Sequence, residues 1–190
     1  MKPVDIPKHM SHPILRFVFL MALLLTQAAC DNNTKLMQSA MSGDLPAVKS
    51  QIDAGAPINA RNNYAWTALH HAARKGETEI VALLLDHGAE IDAQDQRGWT
   101  PLMRAAAKGH QDTVALLLKR GANPDLRDKD GWTALMWAVK QDYLSVVEQL
   151  TAGGADVNIK ADDGRSALLL AHGEGNAQIG EVLRKAGAKF

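Results

Sequence analysis

From Asn33 onward, apolar residues recur on two scales. Locally they follow helical spacing: Val81, Leu84 and Leu85; Val114, Leu117 and Leu118; Val147 and Leu150. Residues three and four apart share one face of a helix, so each set predicts the buried stripe of a short amphipathic helix. At longer range whole blocks return every 33 residues. "WTALHHAARKGE" starts at Trp66, "WTPLMRAAAKGH" at Trp99, "WTALMWAVKQDY" at Trp132 and "RSALLLAHGEGN" at Arg165. A degenerate copy, "NTKLMQSAMSGD", starts at Asn33. A fixed period of this length marks a stacked-repeat architecture.

Each block predicts two helices. Thr67, Thr100, Thr133 and Ser166 fit the N-cap of the first, where a hydroxyl accepts an orphan backbone N–H. Pro101 follows its Thr at the first helical position, where no N–H is missed. The first helix is rich in alanine (Ala72–Ala73, Ala105–Ala107, Ala138, Ala171), which lets neighbours approach closely. Gly43, Gly76, Gly109 and Gly175 stop it in left-handed backbone, with Asp142 in that place in the fourth block. The second helix ends at the recurring Gly-Ala of Gly55, Gly88, Gly121, Gly154 and Gly187. An extended finger such as "RDKDGWT" then leads into the next block. No block can bury its apolar faces alone, so stacking must supply the core and the terminal blocks should be atypical. They are: Gln51 replaces Leu84, Leu117 and Leu150, while Gly180, Glu181, Arg184 and Lys185 mark a solvated last helix.

The blocks resemble the ankyrin repeat, whose signature is T-P-L-H-x-A. "TALHHAA" and "TPLMRAA" are close copies, and "VALLLDHGAEID" and "VALLLKRGANPD" match its second half. The resemblance runs from Asn33 to Phe190. It implies an all-α repeat solenoid of five stacked ankyrin repeats with hairpin-like fingers, at about residues 33–65, 66–98, 99–131, 132–164 and 165–190. Phe190 falls where a further finger would begin, so five repeats are expected. The resemblance also implies a structural role for His70, bonded to backbone near the turn, and a protein partner held on the fingers and the concave face of the first helices.

The first thirty residues follow a different pattern. "FVFLMALLL", Phe17 to Leu25, is nine apolar residues. As a helix it reaches about 14 Å, too short for a bilayer core of about 30 Å. Arg16 precedes it; Ala28, Ala29 and Cys30 follow. These are the parts of a secretory signal peptide, with Met10 as an alternative start. The ending resembles the lipobox of bacterial lipoproteins, which implies lipidation at Cys30 and removal of residues 1–29, leaving a domain of residues 30–190. Gln27 departs from that pattern, which prefers an aliphatic residue. Asp31 resembles an inner-membrane retention signal. The expected location is periplasmic, lipid-anchored to a membrane and preferably the inner one; a soluble periplasmic or secreted protein is the alternative.

Charge changes this picture little. Basic and acidic residues number 21 each, so no overall field points to nucleic acid. The leader holds Lys2, Lys8, Arg16 and Asp5, which leaves 18 basic and 20 acidic residues beyond it. The single Cys excludes an internal disulfide and cysteine zinc sites. No catalytic constellation, cofactor, metal site or small-molecule substrate is expected, and a monomer is. His70 and His71 are the strongest rival, as a metal or enzymatic pair, but neighbours on a helix do not converge on one metal. Ser166 lacks a nucleophile elbow and "GEGN" at Gly173 lacks the strand and Lys of a phosphate loop. Asp162–Asp163 is read as a solvated turn ahead of a calcium site.

The candidate partner-binding residues are therefore Tyr64, Trp66, Arg97, Trp99 and Trp132 on the fingers, and His71, Arg104, Trp137, Leu170, Arg74, Lys75, Lys108 and Lys140 on the first helices. Trp and Arg are enriched in binding hot spots. The three finger tryptophans fit equally well a ladder packing finger on finger. Trp137 is expected to be exposed, since His71 and Arg104 hold the equivalent place. Arg74, Lys75, Arg104, Lys108 and Lys140 form a basic strip, either a solvated face or a groove for an acidic protein surface. The expected function is a non-catalytic interaction module that captures a periplasmic or membrane protein. Alternatives are a dedicated inhibitor or immunity partner of an exported enzyme or toxin, and a cytoplasmic interaction protein.

Overall fold

The structure is a computed structural model that describes residues 32–189. The leader, Cys30, Asp31 and Phe190 lie outside these residues. Ten helices are described, in five pairs: α1 (Lys35–Ser42) with α2 (Leu45–Asp53), α3 (Ala68–Lys75) with α4 (Thr78–Asp86), α5 (Pro101–Ala106) with α6 (Gln111–Lys119), α7 (Ala134–Lys140) with α8 (Leu144–Ala152), and α9 (Ala167–Gly173) with α10 (Ala177–Lys185). First helices stack on first helices and second on second, giving two helical layers. None of the described helices is long and apolar enough to cross a membrane.

The caps set the repeat boundaries. Thr34, Thr100, Thr133 and Ser166 sit in extended backbone and accept the N–H three residues on, from Met37, Met103, Met136 and Leu169. After the first helices, Gly43, Gly76 and Gly109 take φ of 75°, 78° and 73°, and Asp142 takes the same place at 59°. A left-handed residue there lets the chain reverse into the second helix. The core fills the space between layers and repeats with residues in strict register: Leu36, Leu69, Leu102, Leu135 and Leu168 on the first helices; Val48, Val81, Val114 and Val147, then Leu84, Leu117, Leu150 and Leu183, on the second. Each leucine so buried contributes about 1.5–3 kcal/mol relative to exposure.

The terminal helices are less solvated than the sequence predicts. Gln51 is half-buried, and its Nε2 donates to Ser39 Oγ at 2.9 Å. Gly180 is buried, while Glu181, Arg184 and Lys185 are exposed.

Each finger is closed by the same bond: the N–H of Asn62, Asp95, Asp128 and Ala161 donates to the carbonyl of Trp66, Trp99, Trp132 and Arg165. Adjacent fingers are joined in register, Gln96 N–H to Tyr64 O, Lys129 N–H to Arg97 O and Asp162 N–H to Asp130 O. The fingers are turns rather than strands; one isolated antiparallel bridge, Lys160 with Ser166, is the only β-pairing among the described residues.

Candidate partner-binding face

The side chain at each finger base decides what lies under the first helix. Asp95 Oδ1 accepts the N–H of Arg97 at 2.7 Å and of Trp99 at 3.0 Å. Asp128 Oδ1 does the same for Asp130 and Trp132, and Asn62 Oδ1 for Tyr64 and Trp66. That fixes each finger and leaves one polar atom of the side chain for a second partner. For the two aspartates it stands nine residues on. Asp95 Oδ2 takes an ion pair from Arg104, and Asp128 Oδ2 accepts Trp137 Nε1–H at 2.9 Å. Asn62 reaches back to Asn33 Oδ1 at 2.7 Å instead. In the last repeat the places are held by Ala161 and Leu170, and the polar link is gone.

This geometry corrects the expected exposure of the 71, 104, 137 and 170 positions. They point at the finger base rather than outward. His71 is 6% exposed and Leu170 4%, and the Arg104 side chain 15%. Trp137 is half-buried. In α9 the outward apolar residue is Leu169, 45% exposed, because no described repeat covers it as one covers Met37, His70, Met103 and Met136.

The four tryptophans and three arginines make one continuous stack across the array. The Arg104 guanidinium lies between Trp66 and Trp99, its carbon 4.1 and 4.3 Å from the ring centres. Trp99 and Trp137 centroids are 4.3 Å apart, Trp137 and Trp132 4.7 Å, and Arg165 covers Trp132 at 5.2 Å. Arg74 lies over the other end, 5.6 Å from Trp66. Cation–π contacts contribute from about 0.5 kcal/mol when exposed to about 2 when desolvated. Trp132 is buried, and Trp66 and Trp99 are half-buried, so the finger tryptophans pack the fingers together. Tyr64, 52% exposed, and Arg97 remain at the finger tips.

The histidine pair is structural at His70. Its Nδ1 accepts the Thr67 N–H at 3.2 Å and lies 2.9 Å from the Thr67 hydroxyl; its Nε2 donates to Trp99 O at 3.1 Å. Both nitrogens are thus engaged by protein, in a neutral ring. Burial lowers its pKa to about 4. His71 packs on Trp66 at 4.9 Å, and burial, then the neighbouring His70, Arg74 and Arg104 charges, lower it to about 4 as well. Among the described residues no group of three or more His, Cys, Asp or Glu side chains is placed to hold a metal.

The basic strip is shorter than the sequence predicts. Asp95 neutralises Arg104, and Glu174 pairs with Lys140. Arg74, Lys75 and Lys108 are exposed and make no ion pair among the described residues. Arg74, Lys108, Ala107 and Gln141 rim a groove of about 210 Å³ whose floor is Trp99, Arg104 and Trp137. The aspartates that organise the floor carry a sequence signal, an Asp four residues before Trp99 and Trp132 and nine before Arg104 and Trp137.

The family model described as ankyrin repeats (3 copies) matches residues 36–128 and 116–190. The chain belongs to the ankyrin-repeat family. Ankyrin repeats are protein–protein interaction modules and generally non-catalytic, and the face carrying the first helices and finger bases is their concave side. A comparison with curated proteins found no match.

Proposed function

We propose that this ankyrin-repeat protein is a non-catalytic capture module, exported and held at a membrane through a lipid on Cys30, which binds a periplasmic or membrane protein on its concave face. The observation that carries the binding half is the groove over Trp99 and Trp137, rimmed by Arg74 and Lys108, which have no ion-pair partner among the described residues. Half-buried indoles fixed by their own neighbours present apolar area without ordering loss on binding. Arginine and tryptophan at such a place are the residue types that dominate interface energetics.

Export and anchoring rest on the leader sequence and the placement of Cys30. The described fold begins within a few residues of that Cys, so a lipid there would hold the concave face close to the membrane. Lipoprotein chemistry attaches several acyl chains, enough for stable tethering where one chain is marginal. Expression of the full chain and of Cys30→Ser with radiolabelled palmitate tests this. Wild-type protein is expected in the membrane fraction with label, and the variant unlabelled and released. Wild-type protein that is soluble, unlabelled and full length would overturn export and anchoring together, and leave a cytoplasmic interaction protein.

A further inference from the structure

We infer that the groove between Arg74 and Lys108 seats a short acidic peptide segment of a partner protein, its carboxylates at the rim and its apolar side chains on the Trp99–Trp137 floor. This rests on the reading of the concave face as the binding surface and narrows what that face takes.

The first argument is where cations lack acids. Among the described residues six surface cations pair across repeats or turns, Arg61 with Glu90, Arg120 with Asp86, Arg127 with Asp162, Lys140 with Glu174, Arg165 with Asp163 and Lys185 with Glu181, while others, such as Lys49, Lys119 and Lys129, stand singly. At the groove two such cations, Arg74 and Lys108, converge on one opening over the Trp99–Trp137 floor, and neither makes an ion pair among the described residues. The nearest acid, Asp95, is buried and already engaged by Arg104 and two finger N–H groups. Concave cations left without local acids are complementary to carboxylates brought by a partner.

The second argument is register. The residue before each left-handed stop reads Lys75, Lys108, Gln141 and Glu174 through consecutive repeats. Positive charge at that position is thus confined to repeats two and three, and an acid appears in repeat five. The neighbouring groove, beyond Trp137, is rimmed by three acids, Asp130, Asp162 and Asp163, against one cation, Arg165. A strip this short, flanked by acids, does not fit a nucleic-acid backbone or an anionic membrane, which need an extended positive surface. The third argument is size. A groove of about 210 Å³ is below the range of about 300–1,000 Å³ typical of small-molecule sites, and it is open, so it suits side chains laid across it.

The test uses the purified chain and a fluorescent synthetic peptide alternating Glu and Leu, with a Lys–Leu peptide, a short single-stranded oligonucleotide and phosphatidylglycerol vesicles alongside. The Glu–Leu peptide is expected to bind in a salt-dependent way. Arg74→Glu with Lys108→Glu should weaken it about tenfold or more, on the order of two weak ion pairs. Lys49→Glu with Lys119→Glu, exposed on α2 and α6, should change little. Thermal melts of both pairs check that folding is intact. No binding of the Glu–Leu peptide, equal binding of the groove variant, or tighter binding of oligonucleotide or vesicles would each overturn the inference. Gln141→Trp separates it from the broader reading. If this blocking residue abolishes pull-down of a cellular partner while Arg74→Glu and Lys108→Glu do not, the face binds but not through acids. If neither change matters, the concave face is not the binding surface.

Discussion

Asp95 and Asp128 stand at the same place in consecutive repeats and fasten their fingers with the same two backbone bonds. Above them the chemistry divides. Over Asp95 lies a guanidinium between two indoles; over Asp128 lies an indole N–H. The backbone register is identical, so the repeat fixes where the acid goes and leaves open how it is answered. The ionic answer requires desolvating two charges, which weakens its net contribution and makes either partner costly to remove. The indole answer requires no second charge. Neutral Asn62 with His71, at the junction of repeats one and two, and Ala161 with Leu170, at the junction of repeats four and five, show a titratable and an apolar version of the same site.

The largest expected effect falls where the series becomes titratable. His70 and His71 are held neutral in the fold with pKa near 4, against about 6.5 when unfolded. The unfolded chain therefore binds more protons between those values. The stability from neutral histidines is complete above pH 6.5 and is lost as pH falls toward 4, at roughly 3 kcal/mol from each. Urea midpoints measured at pH 7, 6 and 5 should fall steadily. His70→Met, which installs the residue of repeats three and four, should remove about half of that slope. A slope unchanged by His70→Met would mean another group carries it.

Next comes the contrast between the two aspartates. Arg104→Ala leaves the buried Asp95 carboxylate without its cation and is expected to cost about 3–5 kcal/mol in urea unfolding. Arg104→Trp, which copies repeat four, should cost less than about 1.5 kcal/mol, because an indole N–H can take over the acceptor and the stack. Equal losses for both would show that the charge itself is required. Asp128→Asn should cost about 1–2 kcal/mol. Its carbonyl can still fasten the finger, as Asn62 does, but its amide N–H₂ meets the Trp137 N–H, donor against donor. A lowered urea midpoint together with loss of the Trp137 near-UV circular dichroism signal is the accompanying readout.

How much of this was legible in the sequence differs between fold and site. The 33-residue register located every described helix pair, because caps, left-handed stops and apolar stripes are local and recur with few departures, such as Asp142 for glycine and Gln51 for leucine. The structural role of His70 came from the likeness to the ankyrin signature, and its bonds to Thr67 and Trp99 agree with it. The face was not legible in that way. Variation among His71, Arg104, Trp137 and Leu170 reads as exposure when one position is followed through the repeats, since the buried leucines of the first helices are uniform. It becomes intelligible with the residue nine places earlier, where Asn, Asp, Asp and Ala vary in step. Long-range chemistry between a finger base and a helix leaves its trace in pairs of positions, and helical periodicity does not reveal it. The basic strip was misjudged similarly: Lys140 and Glu174 are 34 residues apart, and only stacking brings them together.

That last pair gives the smallest effect on stability and the sharpest test of how the groove ends. Lys140 and Glu174 are each roughly two-fifths exposed, so their ion pair is screened and contributes between nothing and about 1 kcal/mol. Glu174→Gln should leave the urea midpoint almost unchanged. It should still alter the face, because it removes the acid that bounds the cationic strip and releases Lys140 beside Gln141. If positive charge confined to repeats two and three sets the length of acidic segment that binds, a longer Glu–Leu peptide should gain affinity on Glu174→Gln, by a few-fold, while a short one should not. Equal gains for both lengths would point to a general change in field. No gain for either would place the end of the groove at Trp137 itself, set by the indole rather than by the charge.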